Sequence, residues 1–112
     1  MMKLFDNECD WGHIEYKRNL DSMTKIKFQK YATQLKYRTI EGRGKSIYLI
    51  GITDSGRVAG IENLDKTIDI FKKICDHVQC KISIILKCRF RDKQFLIISV
   101  NSQFDMDKYL LF

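Results

Sequence analysis

Leu64, Ile68, Phe71, Cys75 and Val78 follow one another at steps of four, three, four and three, the spacing that lines side chains along one face of an α-helix. A helix with a single apolar face has to bury it against something. Two strand-like runs come directly after it, about 80–90 and 94–100, joined at Arg91-Asp92-Lys93, and Asn63 stands where a helix N-cap belongs. A helix laid on a sheet is the layered arrangement this order favours.

The N-terminal half repeats the theme. HIEYKRNL alternates Ile14 and Tyr16 with Glu15 and Lys17, the period of a half-buried strand. Asp21 or Ser22 can cap a helix in which Ile26, Tyr31, Ala32, Leu35 and Thr39 or Ile40 recur near helical spacing, while Lys25, Lys27, Lys30, Lys36 and Arg38 spread over its remaining surface. Gly42 and Gly44 turn the chain into a strand. Residues 46–52 and 57–61 flank Thr53-Asp54-Ser55-Gly56, the residue types of a hairpin turn. The order β-α-β-β-α-β-β predicts an α+β fold with two helices packed on one face of a mainly antiparallel sheet. No proline, repeat or low-complexity run marks a second domain, so the expectation is a single domain over 1–112, with an N-terminal arm (1–12), a core (13–100) and a C-terminal tail (101–112).

EGRGKS, residues 41–46, looks like the end of a phosphate-binding loop, yet Thr39 occupies the position of the first glycine and the helix precedes the strand, the reverse of what phosphate cradling requires. Cys9, Cys75, Cys80 and Cys88, even with His13 and His77, lack the paired spacing of a zinc site. Without a secretory signal the thiols are expected to stay reduced. His77 reads as a surface residue and Tyr48 as core. No catalytic pair can be proposed from spacing, so neither metal nor cofactor is expected. No apolar run nears the roughly 20 residues of a membrane span, and the expected location is cytoplasmic. Twenty Lys and Arg against 14 Asp and Glu give a net charge of +6 and a pI near 9.2. That asymmetry points to a polyanionic partner.

The run GHIEYKRNL, with TQLKYRTIEGRGKSIYLIGITDSGRVAGI after it, resembles the N-terminal domain of the translational GTPases called GTP-binding proteins one and two. Thr33, Gln34, Leu35, Lys36, Tyr37 and Arg38 match the family's helix end, and Glu41, Gly42, Gly44, Ile47, Tyr48, Ile50, Gly51, Asp54, Gly56 and Gly60 match its next turn, strand and acid-glycine turn. The likeness covers roughly residues 12–100, with its specific part at 33–61. Where the family carries its nucleotide-binding loop this chain has Ser102 and Asp107 in place of both glycines, and Tyr109 in place of the metal-binding hydroxyl residue; Asp105, Lys108 and Leu111 echo the pattern. The sequence then ends. The resemblance implies the accessory domain of a ribosome-acting GTPase without its GTPase module, hence no enzyme and no bound nucleotide.

Its implied partner is the ribosome, both rRNA and ribosomal proteins, bound by a protein that is monomeric when free. The implied role is a dormancy or hibernation factor, like the small factors of microsporidian ribosomes, blocking a transfer-RNA site such as the exit site. Lys25, Lys27, Lys30, Lys36, Arg38, Arg43 and Lys45 are the expected rRNA contacts, and Lys108, Tyr109, Leu110, Leu111 and Phe112 an inserting tail or a segment folded onto the core. Two other functions stay open. One is an RNA-binding or metal-dependent RNA-cutting domain like the AlbA-like domain of Schlafen-type proteins, using Glu15, Glu41 and Asp54. The other is a protein-interaction adaptor for an RNA-decay complex.

Overall fold

The computed structural model describes residues 3–109. In chain order they form β1 (Ile14–Lys17), α1 (Lys25–Glu41), β2 (Lys45–Ile50), α2 (Leu64–His77), β3 (Cys80–Phe90), β4 (Lys93–Ser102) and a short 3-10 turn at Met106–Lys108. One four-stranded sheet runs β1-β2-β4-β3. β1 pairs with β2 in parallel because α1 carries the chain back across the sheet, while β4 runs antiparallel to both neighbours. The α+β fold with two helices on one face of a mainly antiparallel sheet is thus the one expected from the order of elements.

Asn63 caps α2 by accepting from the Lys66 N–H at 3.0 Å. Of the predicted face of α2, Ile68, Phe71 and Cys75 are buried and Leu64 and Val78 are half-buried against them; with Ile74, which the spacing passed over, they join Leu35 of α1 and Tyr48, Ile50, Leu96, Ile98 and Val100 of the sheet in the main core. Each large apolar side chain so buried stabilises the fold by about 1.5–3 kcal/mol. Tyr48, 2% exposed, packs on Phe71 with ring centroids 4.9 Å apart.

Three local expectations need correction. Thr24, not Asp21 or Ser22, caps α1, its Oγ1 accepting from the Lys27 N–H at 3.2 Å. Ile26 is 82% exposed, because the inward face of α1 runs through Phe28, Tyr31, Ala32, Leu35 and Thr39 instead. The turn at Asp54–Gly56 forms, but residues 57–61 make no strand. Only Ile52 bridges Val58 and Lys3 bridges Arg57, since Ala59 and Gly60 both donate to the Gly51 carbonyl (2.8 and 3.1 Å) and curl the chain away. Gly51 and Gly60 take φ values of 96° and 91° to do so, which any other residue would resist.

The N-terminal arm lies over one end of the opposite sheet face. Leu4 and Phe5 donate to the Gly56 carbonyl at 2.9 and 3.0 Å, and a Cβ on Gly56 would collide with the Phe5 backbone. Phe5 meets Tyr16 and Phe95 in a second, smaller core that also holds Leu49, Ile52 and Val58.

Candidate nucleic-acid interface

The first turn of α1 contains Lys25 and Lys27 and no carboxylate. A helix N-terminus already carries partial positive charge, so lysines there oppose the macrodipole by about 0.3–1 kcal/mol each. Helix stability therefore gives no reason for them. Lys25, Lys27 and Lys30 are all exposed, and together with the helix end they concentrate positive potential at one tip. Arg43 and Lys45, also exposed, stand at the other end of the 17-residue helix, roughly 25 Å away at 1.5 Å per residue. The two groups bracket a ridge long enough to track a nucleic-acid backbone.

Two of the expected contacts sit differently. Lys36 is half-buried, its ammonium 5.7 Å from the Phe104 ring and 5.3 Å from the Tyr109 ring. Arg38 is 4% exposed and does not belong to the basic surface. Its Nε donates to Glu15 Oε1 at 2.8 Å, one terminal nitrogen donates to the Gly12 carbonyl at 3.0 Å, and the other donates to the Cys9 carbonyl at 2.9 Å and lies 3.9 Å from Glu8. The guanidinium is consumed in holding the arm to α1 and β1. Lys17 completes the network, 3.3 Å from Glu15. Glu8 accepts from the Tyr16 N–H, yet burial, reinforced by Glu15, pushes its pKa up to about 7.

The ridge has an apolar component that helical spacing could have revealed. Ile26, Lys30, Thr33 and Tyr37, at steps of four, three and four, run down the outward face of α1; Ile26 is 82% and Tyr37 49% exposed. Tyr37 leans toward Glu41, whose hydrogen bond and charge raise the phenol's pKa. An exposed ring beside lysines can stack on a base. Trp11, 71% exposed in the loop before β1, is a further exposed ring. Beside the ridge, an open groove of about 280 Å³ between α1 and the end of α2 is lined by Gln29, Thr33, Lys36, His77 and Gln79. In contrast, the hollow of about 550 Å³ lined by Asp21, Glu62, Asp92 and Lys93 is mainly acidic and repels a polyanion.

The turn after α1 engages its own amides. Gly42, Arg43 and Gly44 donate to the carbonyls of Arg38, Ile40 and Thr39, and Thr39 itself is buried, donating to the Leu35 carbonyl at 2.8 Å and touching Ser46 at 2.9 Å. Gly42 is required by close approach, since a Cβ would strike the Lys45 carbonyl. Among the described residues no cluster of three His, Cys, Asp or Glu side chains could hold a metal ion; Glu15 is tied up by Arg38 and Lys17, and Asp54 sits in the turn. Cys75 and Cys80 are buried, Cys88 is half-buried and Cys9 exposed, with burial pushing the Cys75 thiol up to about 12. No described helix is long and apolar enough to cross a membrane.

Of the tail, Lys108 is exposed, and Tyr109 is half-buried with its ring edge-on to Phe104 at 5.6 Å. Phe104 packs on the main core, and Ser102 and Gln103 donate to the Gly44 and Gln79 carbonyls at 2.8 and 2.7 Å. The chain up to Tyr109 thus returns to α1. Leu110, Leu111 and Phe112 lie outside the described residues.

Comparison with known proteins gives three relatives. Over 80 residues, 70% of the chain, it is 31% identical to GTP-binding protein 2 of mouse and of human. Over 100 residues, 86% of the chain, it is 33% identical to uncharacterized protein R625 of Acanthamoeba polyphaga mimivirus. The matched stretch is only 13% of either GTP-binding protein and 53% of the viral one. No protein-family model and no solved structure matches the chain.

Proposed function

We propose that this protein is a non-enzymatic, cytoplasmic ribosome-binding factor that occupies a transfer-RNA site and keeps ribosomes inactive. The observation that carries the reading is the α1 ridge, whose first-turn lysines work against the helix that bears them. A local choice that costs stability without structural return is expected at a functional site. The partial likeness to GTP-binding protein 2 adds the link to translation, since translational GTPases act on ribosomes. Loss of the GTP-binding function is part of the proposal: the α1–β2 turn spends its amides on helix carbonyls, and Asp105 caps Asp107 at 3.0 Å where a phosphate loop would need glycine.

Co-sedimentation with purified ribosomes over a salt series tests it. Affinity should fall steeply with salt, and each neutralised phosphate-contacting lysine should lower the log-log slope by roughly one. Charge reversal of Lys25, Lys27, Lys30, Arg43 and Lys45 should abolish binding. Removing residues 108–112 should weaken it at least about tenfold, or 1.4 kcal/mol. Binding untouched by the charge reversal would sink the ridge as the contact surface, and calorimetry showing micromolar GTP affinity would sink the nucleotide-free reading.

A further inference from the structure

The sheet face opposite the helices is only partly covered. Strand register orders its side chains in rows. The first row crosses Lys45, Asn101 and Lys81; the next Ile14, Ile47, Ser99 and Ile84; the next Tyr16, Leu49, Ile97 and Leu86. Beyond that, Phe95 and Cys88 lie toward the end covered by Phe5 of the arm. Ser83, bulged out of register between Ile82 and Ile84, is what turns Ile84 and Leu86 onto this side. These two are 55% and 51% exposed, Ile14 is 38% exposed, and Ile47 and Ile97 are half-buried. Five aliphatic side chains thus form a patch on two adjacent rows of a rigid sheet. A patch of this kind on a small protein marks an interaction site.

Its chemistry selects the partner. Among the described residues no exposed ring stands in the patch, because Tyr16 and Phe95 are buried beside the arm, so stacking on bases is not on offer. No strand residue on this face is acidic, and its open end is rimmed by Lys45 and Lys81, either side of Asn101. A second copy would bring lysine rim against lysine rim in a chain of net charge +6, which like-charge repulsion disfavours. We infer that this face docks an acidic amphipathic helix of a partner protein, its apolar stripe on Ile47, Ile84, Leu86 and Ile97 and its carboxylates on Lys45 and Lys81. The surface shares Lys45 with the end of the α1 ridge and is otherwise separate from it, and its apolar stripe does not depend on the ribosome-binding reading.

The test is fluorescence anisotropy with a labelled helical peptide of about 18 residues, leucines at i, i+3, i+4 and i+7 and glutamates on both flanks, against its isomer with lysine flanks. The acidic peptide should bind saturably and about tenfold tighter than the basic one. Ile84→Ser/Leu86→Ser, at positions 55% and 51% exposed, should weaken it about tenfold in a protein that still unfolds cooperatively. Lys45→Glu/Lys81→Glu should invert the preference. Three results would overturn the proposal: equal or absent binding of the two peptides; a dimer in sedimentation equilibrium that Ile84→Ser/Leu86→Ser dissolves, making a second copy the occupant; or single-stranded RNA displacing the acidic peptide, making the face an RNA site.

Discussion

α1 and α2 lie side by side on one sheet and obey different rules. α2 carries Asp65, Asp69 and Asp76 against Lys66, Lys72 and Lys73, an even charge balance on its solvent side, and keeps its apolar residues inside. α1 carries Lys25, Lys27, Lys30, Lys36 and Arg38 against Glu41 alone, buries the arginine and exposes Ile26 and Tyr37. α2 offsets the lysine of its first turn, Lys66, with Asp65 and turns an apolar face inward, though Asp76 stands in its last turn. α1 has no such offset and departs from an amphipathic element in three ways at once: uncompensated positive charge at the N-terminus, a buried arginine inside and exposed apolar residues outside. Such conflicts are retained where a surface has a second task, so the difference separates a helix that builds the core from one that also meets a partner.

The largest expected effect probes the two interiors. Phe71→Ala should cost about 3–5 kcal/mol by leaving a cavity in the main core, and the loss should be global. Arg38→Ala should cost a similar amount, because it strands Glu15 in the interior with Lys17 as its remaining partner, but with a local signature: amide exchange in residues 4–12 accelerates far more than in β4. The double change Glu15→Leu/Arg38→Met should recover much of the stability without restoring arm protection, since the Cys9 and Gly12 carbonyls still lack their donor. If the arm stays protected in Arg38→Ala, Arg38 is a core residue like Phe71 and the contrast between the helices weakens.

These same residues show where the sequence was legible. The four-three-four-three spacing of α2 needs only neighbours on one helix, and it predicted the buried face. Arg38 is stabilised by groups 23, 26 and 29 residues away, a pairing that local periodicity cannot register; by charge alone it belonged on the surface. Ile26 failed for the related reason that apolarity was taken as a vote for the interior. The segment 57–61 alternates like a strand, yet positive-φ glycines at 51 and 60 decide its path through backbone geometry. In β3 the run Ile82-Ser83-Ile84-Ile85-Leu86 is apolar at nearly every position, and only the bulge at Ser83 decides which isoleucines reach the open face. Of the expected contact residues, Lys25, Lys27, Lys30, Arg43 and Lys45 are where charge and spacing put them, at the surface.

A smaller effect concerns the arm that α1 holds and α2 does not touch. Glu8 faces Arg38 from α1, Glu15 and the Tyr16 amide from β1, and the field of Asp54 from the turn. Its pKa rises from 4.5 to about 7, chiefly through burial and then through Glu15. The folded state therefore binds this proton more tightly than the unfolded chain, so the stabilisation is full below about 4.5 and is lost as pH rises through about 7. Exchange protection of residues 4–12 should be higher at pH 5 than at pH 8, and Glu8→Gln should flatten that difference while α2 amides respond equally in both proteins. Protection that increases with pH would show Glu8 acting as a simple ion-pair partner of Arg38.

The smallest effect on stability sharpens the comparison most, because it isolates the two outer faces. Ile26→Gln on α1 and Lys72→Gln on α2 both replace exposed residues with a good helix former, so each should change unfolding free energy by no more than about 0.5 kcal/mol. If both outer faces were merely solvated, ribosome affinity would be equally indifferent to the two changes. The ridge predicts otherwise. Ile26 stands one helical turn from Lys30, beside Lys25 and Lys27, where an apolar side chain can press on ribose or base as the lysines engage phosphate. Ile26→Gln should weaken binding several-fold without altering the salt slope, since it removes no charge. Tyr37→Gln should behave alike if its ring stacks, whereas Lys72→Gln should leave both affinity and slope where they were. A loss of slope with Lys72→Gln would put phosphate contacts on α2 as well and erase the functional distinction between the helices. Unchanged affinity for Ile26→Gln and Tyr37→Gln together would reduce the ridge to its charges.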